Sequence, residues 1–212
     1  MKKTLIILTA MLLCATVFAQ HRRPTPERKF IYLTSVGYAT GLGEIHLMDD
    51  NNEEFKNIQN HNFDISVNQL LGYQINPYFQ LGLGAGFDFW KHTAFIPIYL
   101  NVTVNFTKTK FVPLFYTNLG YSLKWYYTSV PENADKVVHG AKRGPMGEAG
   151  LGFRFHVNEK LSILFAACYK TQYSQILYSV TDPGNLNFAA YDTNRSKNLF
   201  YHFAGVRLGL MY

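Results

Sequence analysis

Phe79–Trp90 reads FQLGLGAGFDFW. Alternate residues on a strand face opposite sides, so the stretch divides into two sets. Phe79, Leu81, Leu83, Ala85, Phe87 and Phe89 form one wholly apolar face; Gln80, Gly82, Gly84, Gly86, Asp88 and Trp90 form the other. A sheet exposed to water shows it Lys, Thr and Glu. A face of bare glycine instead suits a crowded interior, where backbones and large side chains approach closely. An apolar outside around a tight, partly polar inside is the pattern of a small transmembrane β-barrel.

The same alternation recurs along the chain. Residues 62–74 set Phe63, Ile65, Val67, Leu71 and Tyr73 against Asp64, Ser66, Asn68 and Gly72. Residues 94–106 set Ile96, Ile98, Leu100, Val102, Val104 and Phe106 against Tyr99, Asn101, Thr103 and Asn105. Comparable strands are expected at 111–126, 145–157, 161–173 and 198–212. A first strand is expected at 30–39, with Phe30, Tyr32, Val36 and Tyr38 outward so that Gly37 joins the inward glycines. Eight strands of this length suffice for the ~9–11 residues that a tilted membrane strand needs. The expected fold is therefore all-β: an eight-stranded antiparallel up-and-down transmembrane β-barrel over 30–212. The glycines at 82, 84 and 86 are expected to make room for Tyr99 and Tyr116.

Residues 1–19 precede this domain. Lys2 and Lys3, then an apolar run from Leu5 to Val17, then Val17-Phe18-Ala19, have the layout of a cleaved secretory signal peptide. The apolar run is shorter than the ~20 residues of a membrane-spanning helix. Residues 20–29, QHRRPTPERK, combine two prolines with many charges and read as a disordered periplasmic lead-in. Without Lys2 and Lys3 the formal net charge of +6 falls to +4. The basic residues are scattered, with no run interleaved with aromatics, which argues against nucleic acid as a partner. Charged residues are 16% of the chain, against ~25% in an ordinary soluble domain, and aromatics match them at 16%. Low charge with abundant Tyr and Phe suits aromatic girdles at two membrane interfaces. Cys168 is the one cysteine outside 1–19, so no intrachain disulfide is expected.

Connections after the second, fourth and sixth strands are short. Those at 41–61, 128–143 and 175–197 are long; the connection after the third strand is a short exception. Outer-membrane barrels place short turns in the periplasm and long loops outside, and an even strand count then puts both termini in the periplasm. On these features the chain resembles the eight-stranded outer-membrane barrels of the OmpX and OmpA-barrel type, and in particular the outer membrane β-barrel proteins of Bacteroidota. The resemblance covers about residues 30–212 and implies residence in the outer membrane of a Gram-negative bacterium, in contact with its lipid. Such barrels end in an alternating apolar strand with a terminal aromatic that their assembly machinery recognises. Val206, Leu208, Leu210 and Tyr212 match that pattern.

The candidate interior site is a charge network of Asp64, Asp88, Lys124, Glu148, Arg154, Lys170 and Arg207. All have inward phase, and charges held away from water must pair. An eight-stranded barrel has an interior just wide enough for side chains, so the network is expected to fill the lumen and not to line a path. No cofactor or metal is expected. The glycines alternate within one strand and lead into no helix, unlike a phosphate loop. The acidic run Asp49, Asp50, Asn52, Glu53 and Glu54 lacks the glycine of a calcium loop. The histidines are dispersed and no His-x-Ser pair occurs; His92, after Asp88, is the one placement near an inward acid. The expected role is non-enzymatic: an envelope structural, adhesion or partner-binding protein that meets an extracellular ligand through its long loops. A narrow channel or lateral gate for small solutes is the alternative. A soluble lipocalin-like carrier would need its apolar face turned inward, and its Gly-x-Trp signature is missing at 30–45.

Overall fold

The computed structural model describes residues 30–48, 54–59, 63–90, 93–127, 130–133, 136–142, 144–180 and 192–212. The expected signal peptide (1–19) and lead-in (20–29), His92 and most of the acidic run at 49–54 lie outside them. Eight strands form the wall: β1 (Phe30–Leu42), β2 (Phe63–Asn76), β3 (Phe79–Trp90), β4 (Thr93–Asn105), β5 (Phe111–Tyr127), β6 (Gly144–His156), β7 (Ser162–Val180) and β8 (Asp192–Met211). Each pairs antiparallel with its neighbours in sequence, and β8 returns to β1, from Leu33 opposite Met211 to Leu42 opposite His202. Closure leaves the eight-stranded wall without the free edge that a strand in hydrocarbon could not leave unpaired.

The ring is staggered. The register runs from Tyr32 through Leu71, Leu83, Leu100, Leu119, Gly147, Thr171 and His202 and returns to β1 at Leu42, ten residues further on. A stagger of that size tilts the strands by about 40° to the barrel axis.

One end of the barrel, here the turn end, carries both termini of the wall and three tight turns. Asn76 Oδ1 accepts from the N–H groups of Tyr78 and Phe79 (2.8 and 2.9 Å). Asn158 Oδ1 does the same for Lys160 and Leu161 (both 2.8 Å). Asparagine suits these turns because its side chain replaces a backbone acceptor. At the opposite, loop end the long connections are more ordered than their polar sequences suggest. Glu44–Met48 pairs with Glu54–Gln59. Lys136–Lys142 pairs with β7 above the end of β6, and Val130–Asn133 pairs with Lys136–Lys142. Much of 175–197, expected as loop, is hairpin: β7 and β8 stay paired out to Val180 opposite Asp192. Alternation marks a strand only where one face is apolar, so strand beyond the apolar band leaves no such mark.

Burial is inverted relative to a water-soluble barrel. Leu83, Leu100, Leu119, Leu151 and Leu208 are all more than half exposed, while Asp64, Asp88, Glu148, Lys170 and Arg207 are buried. The phase of β1 follows the expected assignment, with Phe30, Tyr32, Val36 and Tyr38 exposed. Aromatic side chains ring the turn end, including Phe30 against Tyr73 (5.3 Å between centroids), Phe79, Phe106, Phe155 and Tyr212. Phe63, Phe89, Trp125, Tyr169 and Phe200 lie towards the loop end.

Candidate functional site in the lumen

The lumen is packed at three levels. At the turn end Ile31, Leu33, Leu70, Leu114, Leu164 and Met211 pack into an apolar layer. Arg154 lies there, with Nη1 donating to the Met211 sulfur at 3.2 Å.

The middle level is polar. Glu148 accepts from Arg207 Nη2 (2.7 Å) and from the Tyr116 hydroxyl (2.6 Å). The Arg207 guanidinium lies 5.7 Å from the Tyr116 ring centroid. Asn101 Nδ2 donates to Asn118 Oδ1 (2.7 Å), and Thr103 Oγ1 donates to Asn101 Oδ1 (2.9 Å). The cavity among these groups is about 20 Å³, room for about one water and no solute. Lys170 completes the level. From β7 it reaches across the lumen to β2 and β3, donating to Asp64 Oδ2 at 2.6 Å and Asp88 Oδ2 at 2.5 Å. All three side chains are at most 5% exposed.

Towards the loop end aromatic side chains form a third layer. The Trp90 ring lies 4.8 Å from Phe95, 5.0 Å from Tyr201 and 4.9 Å from Phe203. Phe95 and Phe203 are fully buried.

Of the seven charges expected to form one network, Asp64, Asp88 and Lys170 make one cluster and Glu148 and Arg207 another. Glu148 and Lys170 are partners in register on β6 and β7. Arg154 is carried to the apolar layer. Lys124 is the departure: it keeps the phase of Ser122 but is exposed at the loop end of β5. The β4–β5 register shifts by one residue between Ala94 and Phe95, opposite Tyr126 and Lys124. Such an irregularity breaks the regular alternation of faces, so inward phase no longer means burial there.

The glycines at 82, 84 and 86 make room for Tyr99 as expected, but not for Tyr116. A Cβ on Gly84 would run into the ring of its register partner Tyr99. The equivalent space for Tyr116 comes from Gly150 on β6, while Gly86 faces Asn68 and Gly82 faces Leu70. Alternation alone does not mark the apolar and aromatic layers. Their signal was consecutive apolar residues of both phases near strand ends, such as Ile31-Tyr32-Leu33, Leu70-Leu71 and Leu164-Phe165.

One histidine–serine contact forms only in three dimensions. His156 Nδ1 and Ser162 Oγ are 2.7 Å apart across the β6–β7 turn. Ser162 is fully buried, so no substrate can reach it as a nucleophile. Cys168 is half-buried in the lumen wall beside the apolar layer. Among the described residues no three His, Cys, Asp or Glu side chains are grouped to hold a metal ion. The four exterior residues expected as an assembly signal, Val206, Leu208, Leu210 and Tyr212, are all exposed on β8 and the residue after it.

No family model matches the chain, and no curated protein matches it. Among solved structures it is similar to OprG, an outer-membrane protein from Pseudomonas aeruginosa (TM-score 0.54, 13% identity, 88% of this chain and 99% of that one). It is also similar to Neisserial surface protein A (TM-score 0.51, 12% identity, 86% and 95%). A third is the outer-membrane protein AlkL, determined in lipid bilayers (TM-score 0.51, 12% identity, 91% and 95%). The likeness is one of fold, and kinship with the Bacteroidota proteins stays an expectation.

Proposed function

We propose that this chain, a small eight-stranded barrel of the outer-membrane kind, resides in the outer membrane of a Gram-negative bacterium as a non-enzymatic structural, adhesion or partner-binding protein. The carrying observation is the filled lumen. Apolar, ionic and aromatic layers succeed one another along the axis, and together they leave little room for the continuous wet path that a solute needs. What the barrel then offers is a rigid platform. Its exterior solvates it in lipid, and its loop end presents residues 41–61, 128–143 and 175–197 to the outside, with both termini of the mature chain in the periplasm. Val206, Leu208, Leu210 and Tyr212 serve the assembly machinery during insertion, and no cofactor is required.

One observation favours the second reading, a lateral gate. The β3–β4 ladder is interrupted at Gly86 and Phe87, opposite Ile96 and Pro97, because proline lacks the N–H to bridge it. Behind that seam, however, Asp88, Phe95, Pro97 and Ser122 are all fully buried, so the gap in hydrogen bonding is not a gap in packing. Purified protein in planar bilayers tests both readings. The platform reading expects no stable conductance, and replacing 128–143 by a short turn should abolish surface binding by intact cells while the barrel still folds. Stable conductance, or solute uptake by vesicles that is lost on cross-linking β3 to β4, overturns it in favour of the gate.

A further inference from the structure

Between its two aromatic girdles the barrel exterior should hold nothing that hydrocarbon cannot solvate. Gln69 breaks that rule. It is exposed on β2, with Val67 and Leu71 as its neighbours on the same face. It stands four residues from Tyr73 in the turn-end girdle and six from Phe63 towards the loop end. At about 2.5 Å of height per tilted residue, that puts it roughly 10 Å inside one interface and 15 Å inside the other. Other polar side chains among the described exterior residues of the wall are hydroxyls or lie close to the loop end, such as His202, which contacts the Tyr169 hydroxyl at 2.8 Å. Among the described residues Gln69 is the one carboxamide in the middle of the band.

The amide is half satisfied. Its Oε1 accepts from Thr34 Oγ1 on β1 at 3.0 Å. Its NH₂ carries two donors with no partner among the described residues, and Oε1 retains a second lone pair. A polar group left in this state in hydrocarbon is costly. Lipid cannot relieve it, because at this depth there are only acyl chains. The missing acceptor must belong to protein. On the other side the register partner is Ala85 on β3, whose small side chain lets another surface come close.

We propose that the β1–β3 face around Gln69 is the contact between two copies of this chain, with the Gln69 carboxamides paired across a two-fold axis. A carboxamide is self-complementary: each NH₂ donates to the other's oxygen, which closes a ring of two hydrogen bonds. A two-fold interface is the arrangement that brings one residue against itself. The contact leaves both loop ends on the same side of the membrane. It rests on the exterior facing lipid but not on the filled lumen or any loop ligand, so it stands or falls separately from the platform reading.

The test uses the mature protein in phospholipid vesicles, with Cys168→Ser removing the native thiol. Ala85→Cys should be linked into dimers by a short bis-maleimide, whereas Leu151→Cys, on the opposite wall at β6, should not. In energy-transfer measurements across lipid dilution, Gln69→Leu should weaken association by about three- to thirtyfold. The same variant should leave the gel mobility of the unboiled barrel unchanged, because leucine is well solvated by lipid. Equal linking from Ala85 and Leu151, or monomers at every protein-to-lipid ratio, overturns the proposal. So does Gln69→Leu associating as wild type, or Ala85→Cys linking only to a different protein in cells.

Discussion

Replacing Lys170 with methionine removes the ammonium that two buried carboxylates share, at nearly the same volume. Lys170 Nζ lies 2.6 Å from Asp64 and 2.5 Å from Asp88, with the acids 2–3% exposed. At an effective dielectric of about 20 and a charge separation of about 4 Å, each attraction is worth roughly 4 kcal/mol. Part of that is returned because lysine no longer needs to be desolvated. Removing one partner of a buried ion pair costs about 3–5 kcal/mol net, and we expect that range here, or a fall in the folding constant of roughly two to four orders of magnitude. Equilibrium unfolding by guanidinium in phospholipid vesicles, followed by tryptophan fluorescence and by the mobility of unboiled samples, measures it. Combining Lys170→Met with Asp64→Asn and Asp88→Asn removes all three charges, and should restore at least half of the loss, since uncompensated charge and not lost volume is the cause. A cost below about 1 kcal/mol would mean that water reaches the cluster as it reaches a surface pair. A triple variant no better than the single one would also refute the account.

Gly84→Ala places a methyl group against the Tyr99 ring and should cost about 1–3 kcal/mol by overpacking; adding Tyr99→Ala should relieve the clash, and an undiminished effect in the double variant would show that the cost is not steric. Trp125 is exposed beside Phe87 (4.7 Å), whereas Trp90 sits among lumen aromatics; lipids brominated on the acyl chain should therefore quench a variant keeping only Trp125 strongly, and one keeping only Trp90 weakly, with the reverse order expected of a barrel that is apolar inside. Tyr212 exchanges two backbone hydrogen bonds with Tyr32 (2.8 and 3.0 Å) at the seam where β8 meets β1; deleting it should lower the yield of folded barrel and slow its appearance on unboiled gels, whereas Tyr212→Phe should behave as wild type.

The alternation in FQLGLGAGFDFW and its seven counterparts determined the strands, their outward faces and the closure into a barrel. That follows because lipid and lumen lie on opposite sides of every residue, so each strand carries the record of both in a period of two. Phase says which side a residue takes but nothing of its height along the axis or of what stands on the opposite wall. Lys124 and Lys170 show the difference: both have inward phase, yet one is exposed at the loop end and the other is buried between two acids. Which charges meet depends on the ten-residue stagger of the ring, a property of all eight pairings together. It brings Lys170 to Asp64 across 106 residues of sequence. Gln69 makes the same point from outside. Its outward phase was written in β2, but only the girdles above and below it, and Thr34 and Ala85 beside it, reveal an amide held in the middle of the lipid-facing band.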